Sequence, residues 1–183
     1  MTMNIKLFKE ISAQGLSQNI FEWQIFLERV SAYFDNRGIA NPIVVELGIW
    51  FGRQKRYYQQ LLNAEHIGID NHSDKGIPDI LGDTHNENTV QYLKEILNGR
   101  SIDLLFIDAG HTYNDVKRDY KLYAPLTKGI IAIHDIMLER EEVKLFWNGI
   151  RFSEDYITET IHAPAKYHVE KLSVGIGLLI NRW

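Results

Sequence analysis

The sequence predicts an α/β fold: a doubly wound, mostly parallel sheet with an antiparallel C-terminal strand, preceded by an N-terminal helical segment. Three observations lead there. From residue 43 onward, short apolar runs alternate with longer amphipathic stretches, as when strands are joined by crossover helices. The apolar runs are continuous rather than alternating, which suits parallel strands buried on both faces. Two late strand-like stretches are separated by too little chain for a confident crossover helix, so they are expected to close the sheet antiparallel.

The elements follow in order. Ile20, Trp23, Leu27, Val30 and Phe34 are spaced alternately three and four apart, one apolar helical face that Gly38 ends. After the Asn41-Pro42 breaker come strands over Ile43–Leu47, 67–70, 102–108 and 130–135. Helices are expected at 54–62, Glu87–Leu97 and Tyr113–Tyr123; the last two carry Val90, Leu93 and Leu97, then Val116, Tyr120 and Tyr123, on single faces. The late strands are Tyr156–Ile161 and 173–180, with the turn-rich HAPAKYHVEKL between them. No repeat, low-complexity tract or linker divides the chain. One domain over 1–183 is expected, with 1–40 a helical leader or lid and 41–183 a Rossmann-like core.

Composition narrows the function. With 183 residues, 45% hydrophobic and 24% charged, the chain can build a packed core without disulfide or metal. It has no cysteine, which excludes disulfides, thiolate catalysis and cysteine metal sites. A net charge of -4 gives no general reason to bind a polyanion, so a nucleic-acid partner is not expected. The start, MTMNIKLFKEIS, lacks a secretory pattern, and no run approaches about 18 apolar residues; the expectation is a cytoplasmic protein that engages no membrane.

In an open parallel sheet, ligands bind beyond the carboxyl ends of the strands. The first strand runs into VVELGIWFGRQ, where Gly48 and Gly52 bracket a loop leading to a helix, a place for close backbone approach. The next strand ends in Asp70, which can accept from both hydroxyls of a ribose or simply cap its own loop. A dinucleotide fingerprint G-x-G-x-x-G counted from Gly48 fails at Trp50 and Arg53, and no G-x-x-x-x-G-K-[ST] phosphate loop is present.

The E-x-G-x-x-x-G loop at Glu46, Gly48 and Gly52, the strand-two acid Asp70 and the signature ILGD ending in Asp83 resemble the class I S-adenosylmethionine-dependent methyltransferases. The likeness spans roughly residues 43–180. It implies S-adenosylmethionine as cofactor, with Gly48 and neighbouring backbone at its methionine part, Asp70 at the ribose, and Asp83 with Thr84 at the adenine. Glu46, Gly52 and Asp108 join the cofactor-binding positions. Trp50, Phe51, Arg53, Lys55 and Arg56 make this loop bulkier and more basic than the family's usual form; the basic residues either attract an anionic substrate group or form a solvated helix face.

Asp108 and Asp135 each close an apolar run. Adjacent strands lie about 4.8 Å apart, so the two carboxylates either converge on one oxygen-preferring cation or stand as separate loop acids. D-A-G-H-x-Y from Asp108, followed by a helix and I-x-x-H-D-I through Asp135, resembles a metal-dependent subgroup of these enzymes: sugar, macrolide and catechol O-methyltransferases and a cephalosporin-hydroxylase-like, methyltransferase 24 type family. That resemblance implies Asp108, His134 and Asp135 at the three metal-ligand positions, the histidine replacing the usual carboxylate. It implies Mg2+, while an imidazole ligand also suits manganese, iron or zinc. It places His111 as general base, acting with Asp108; read by itself, His111 equally suits a helix cap.

The expected reaction is O-methylation of a small-molecule or sugar hydroxyl, giving S-adenosylhomocysteine. Alternatives are a metal-independent methyltransferase, a nicotinamide-dependent oxidoreductase on a similar fold, and a non-catalytic cofactor-binding protein. Phe8, Phe21, Trp23, Phe26, Tyr33 and Phe34 exceed what one buried face can use, which suggests a lid or a homo-oligomer surface beside core packing. Residues 138–156, with Phe146, Trp147 and Arg151, are the expected second wall of the acceptor pocket.

Overall fold

The computed structural model describes residues 3–16, 18–138, 142–163 and 174–182. Two helices lead, α1 (Ile5–Ser12) and α2 (Ile20–Arg37). Strands β1 (Ile43–Leu47), β2 (Glu65–Asp70), β3 (Ile80–Leu81), β4 (Ile102–Ile107) and β5 (Thr127–His134) then alternate with α3 (Lys55–Leu62), α4 (Glu87–Leu97) and α5 (Tyr113–Tyr123). After them come α6 (Val143–Ile150), β6 (Tyr156–Ile161) and β7 (Ile176–Asn181). The seven strands lie in the order β3-β2-β1-β4-β5-β7-β6. β1 to β5 pair in parallel, whereas β7 runs antiparallel to both β5 and β6.

The expected antiparallel closure therefore comes from β7 alone, inserted between β5 and the edge strand β6. β7 begins at Ile176, and the turn-rich stretch from 164 to 172, with Ser173, lies outside the described residues. α1 and α6 were not foreseen.

Successive strand residues point to opposite faces, so each strand feeds two cores. Val44, Leu104, Phe106, Ala132 and Leu178 meet α1, α2 and α3; Val45, Leu47, Leu105, Ile133 and Leu179 meet α4, α5 and α6. Trp23 organises the first core, with ring centroids 5.0 to 5.9 Å from Phe26, Tyr57, Tyr58 and Phe106. Phe8, Trp23, Phe26 and Phe34 are thus spent inside the molecule, while Ile20 and Phe21 sit at the surface. Phe146 and Trp147 are likewise buried in the second core.

α2 starts at Asn19, whose side chain accepts from Phe21 and Glu22 N–H groups, and stops at Gly38 in the left-handed region. From the buried flank of α2, Glu22 accepts from the N–H of Ala163 at 2.9 Å and from those of Val174 and Gly175 at 3.4 Å each. α2 thereby ties the beginning of the fold to its last strand. Among the described residues no helix is long and apolar enough to cross a membrane.

Candidate active site

The strand order reverses between β1 and β4, the switch point where doubly wound sheets open a crevice. The backbone closes tightly there. Asp108 N–H donates to Leu47 O at 2.9 Å, and Gly48 N–H donates to Ile69 O at 2.8 Å. Gly48 has φ 81°, and a Cβ on it would stand 2.2 Å from Asp108 O, so only glycine lets these two strand ends meet. Above them opens a cleft of about 500 Å³, whose walls include Gly48, Trp50, Asp70, Asp83, Asp108 and His111.

At the β2 side, the Asp70 carboxylate holds the glycine loop: Oδ2 accepts from Ile49 and Trp50 N–H at 2.9 and 3.1 Å, and Oδ1 from His72 N–H at 3.0 Å. Those donors fill three of the roughly four acceptor positions of a carboxylate, which leaves room for one further hydroxyl rather than two. Loop cap and ligand contact, taken as alternatives from sequence, are compatible in one side chain. Asp83 Oδ1 accepts from His85 N–H at 2.8 Å, and buried Thr84 is pinned through its carbonyl by the Tyr123 hydroxyl at 2.9 Å. His85 also lines this wall, its Nε2 3.3 Å from Oδ1 of buried Asp119. Burial pushes the Asp119 carboxyl up to about 6.

Two of the cofactor-binding positions inferred from sequence stand off the cleft wall. Gly52 closes the loop turn, with φ 65° and its N–H donating to Ile49 O at 2.7 Å. Glu46 is fully buried within the sheet, with Oε2 2.8 Å from His66 Nε2. Its direction is set by strand alternation, which turns it from the cleft toward β2 and α3.

At the β4 and β5 side the structure brings Asp108, His111 and Asp135 together, with ligand atoms all within 4.8 Å of one another. His111 Nε2 is 3.1 Å from Asp135 Oδ2 and 3.9 Å from Asp108 Oδ1. Asp135 follows β5 in the left-handed region at φ 61°, which places its carboxylate beside Asp108. His111 precedes the capping box of Thr112 and Asp115 that starts α5, so it belongs to the mouth of the helix without capping it. His134 sits deeper. Its Nδ1 lies 2.9 Å from Asp108 Oδ1 and 3.3 Å from Asp135 Oδ1, while Nε2 is buried with no hydrogen-bond partner. Among the described residues, the histidine grouped with both carboxylates at the cleft is thus His111, and His134 props them from beneath.

Charge is concentrated here. The facing carboxylates of Asp108 and Asp135, against the effect of burial, raise His111 to about 10. Burial disfavours the charged form of His134, but the facing Asp108 and Asp135 outweigh it and raise this ring to about 9. Burial likewise opposes ionisation of Asp108, yet His134 and His111 bring it down to about 2. A ring near its ordinary 6.5 was expected for His111; between two carboxylates it instead carries its proton at neutral pH.

Gln18, for which the sequence offered no motif, donates from Nε2 to Asp108 Oδ2 at 2.9 Å. The loop cations are also committed: Arg56 donates to Gln14 Oε1 at 2.9 Å and to the Gly15 carbonyl, Lys55 pairs with Asp79 at 2.7 Å, and Arg53 lies over the Phe51 ring. Lys55 and Arg56 thus bind the chain's own segments.

Residues 45–136 match the family model of a methyltransferase domain. The chain belongs to this family. It stands with the class I S-adenosylmethionine-dependent methyltransferases, and solved structures share its fold. A Staphylococcus aureus protein provisionally named a caffeoyl-CoA O-methyltransferase has 12% identity and a TM-score of 0.61, over 97% of this chain and 92% of that one. The O-methyltransferase from Bacillus cereus, solved with SAH, has 12% identity and a TM-score of 0.57, over 97% and 90%. MycE methyltransferase of the mycinamycin biosynthetic pathway, solved with Mg and SAH, has 17% identity and a TM-score of 0.53 over 78% of this chain. The match spans only 38% of the MycE chain. No curated protein matches the sequence.

Proposed function

We propose that this family member transfers a methyl group from S-adenosylmethionine to a hydroxyl oxygen of a small molecule or sugar, with a divalent cation held by the Asp108 and Asp135 carboxylates and His111 beside them as base. The convergence of these three side chains, with Asp108 and His111 on the wall of the cleft that Gly48 and Asp70 also line, carries the reading. The cleft is of a size that takes a nucleoside-sized ligand. Gly48 offers backbone without a side chain, Asp70 keeps an acceptor position for a ribose hydroxyl, and Asp83 with Thr84 stands where an adenine edge would lie.

The two carboxylates form an oxygen donor set that would fit Mg2+ or Mn2+. A cation at this place supplies positive charge that orients an acceptor hydroxyl and stabilises its alkoxide. His111 is protonated only while two carboxylates face it. With their charge offset by the cation, its Nε2 would give up that proton more readily and would be free to take the hydroxyl proton. The oxygen then displaces sulfur from the methyl carbon: a C–O bond forms, the C–S bond breaks and the pair of electrons stays on sulfur. Alignment of the two reactants across the cleft supplies much of the acceleration.

The contact of His111 with Asp135 at 3.1 Å favours a second reading, in which this pair serves as base without a cation. A thermal-shift panel with S-adenosylmethionine, S-adenosylhomocysteine, NAD and ATP, each with Mg2+ or a chelator, separates the possibilities. A ligand at 100 times its Kd stabilises the native state by about 2.7 kcal/mol. A response to the two sulfur nucleotides and not to NAD or ATP is expected; silence toward both sulfur nucleotides refutes the proposal. Methyl transfer that survives the chelator selects the metal-free route.

A further inference from the structure

The connection between α1 and α2 reaches over the acidic end of the cleft. Gln18 is buried, and its carboxamide meets Asp108 across 90 residues of sequence. Asp108 is therefore held at both oxygens, Oδ2 by Gln18 at 2.9 Å and Oδ1 by His134 at 2.9 Å. A carboxylate gripped in this way cannot turn about its Cβ–Cγ bond, and its remaining lone pairs keep one direction.

The connection is itself fastened at three places. Arg56 donates to Gln14 Oε1 and to the Gly15 carbonyl, the Tyr57 hydroxyl donates to Ser12 Oγ at 3.0 Å, and Asn19 caps α2. Arg56 and Tyr57 lie on α3, the helix that follows the glycine loop. The residues shortly before Gln18 are thus held by the helix that also ends the glycine loop.

We propose that Gln18 is a positioning residue for the cation-binding carboxylate of Asp108, an inference that rests on the cation-assisted reading above. A neutral carboxamide suits the task because it donates without changing the charge of the cluster. Truncation to alanine leaves Asp108 Oδ2 unpaired and the carboxylate able to rotate. Glutamate, nearly the same shape, replaces the donor with another negative charge: it repels Asp108 when no cation is present and adds a ligand when one is.

The test uses the full chain and Mn2+, with free Mn2+ read by electron paramagnetic resonance and thermal shifts measured alongside. Gln18→Ala is expected to weaken Mn2+ binding about 10- to 100-fold, the usual effect of losing a partner that orients a ligand, with an unchanged shift from S-adenosylhomocysteine. Gln18→Glu is expected to lower the Tm of the metal-free protein and to show a larger Mn2+-induced rise than the unaltered chain. Equal Mn2+ affinity in the unaltered and alanine forms overturns the role of Gln18. So does a glutamate variant that loses Tm with no larger Mn2+ response, since that marks simple packing. Failure of the unaltered protein to bind Mn2+ overturns the cation reading and this inference with it.

Discussion

Two groups of histidine and carboxylate lie on either side of the boundary between β1 and β4, and they behave oppositely. In the first, His66 stands between Glu46 at 2.8 Å and Asp79 at 3.6 Å, and Asp79 continues to Lys55 at 2.7 Å. Burial raises Glu46 despite its hydrogen bond to His66; His66 is raised too, as its two carboxylates outweigh burial. The line of charge runs from the sheet interior to a lysine at the surface. In the second group, Asp108, His134, His111 and Asp135 meet at the end of the sheet beside the cleft, and among the described residues no lysine or arginine completes them. Similar residue types thus serve as internal support in one place and as an open site in the other. What decides is where the charge stops: a group that finishes on its own counter-ion is closed, and one that finishes on a cavity is available to a ligand.

The largest effect that would separate them is on turnover. Asp135→Asn keeps the side-chain shape and tolerates the left-handed backbone, but removes one charge from the open group. Methyl transfer is expected to fall about 10³-fold or more, while the thermal shift from S-adenosylhomocysteine persists. Near-normal activity would put Asp135 with the supporting residues.

Next comes stability. Glu46→Ala leaves the buried His66 without its nearer partner, and breaking such a pair costs about 3–5 kcal/mol in urea unfolding. Cofactor affinity should scarcely move. The reverse result, lost cofactor binding at unchanged stability, would return Glu46 to the ligand site where its motif position suggested it belonged.

The smallest effect is a pH limb. His111 and His134 have folded values raised to about 10 and about 9, so the stability they contribute is complete below an unfolded value near 6.5 and fades as pH rises through 9 to 10. In chelator, urea midpoints should therefore decline over that alkaline range. Mg2+ should flatten the decline, since a cation replaces the imidazolium as partner of the two carboxylates. An identical alkaline limb with and without Mg2+ would mean that the open group does not take the ion.

Much of this architecture was readable before the structure. α4 and α5 fall at the expected bounds because their ends are written in side chains: Asn86 and the Thr112 and Asp115 box at the starts, Asn98 in the left-handed region after α4. α1 went unread because eight residues with only Phe8 and Ile11 buried give too few turns for a period to show. β5 begins three residues earlier than its apolar run, since Thr127 and Lys128 reach the ladder without adding hydrophobicity. At the site, acids closing apolar runs pointed to Asp70 and Asp108, which line one cleft, and to Asp135, which stands beside Asp108. That His111 and His134 both stand against the two carboxylates was not legible from spacing, because it depends on how the chain turns after β4 and β5. Gln18 left no trace at all; a lone glutamine outside any motif acquires meaning only through its partner 90 residues away.

The reach of α2 to distant parts of the chain has a consequence for biosynthesis. A ribosome delivers the amino end first, at about 5–20 residues per second. Gln18 and Glu22 thus emerge early, and their partners, Asp108 and then Gly175, follow about 5–20 and 8–30 s later. Until β4 and β5 have followed, the face bearing Trp23, Phe26 and Phe34 lacks the Phe106 and Ala132 that pack against it. The nascent chain exposes its most aromatic surface longest, and that is the stretch on which a chaperone would find its hold.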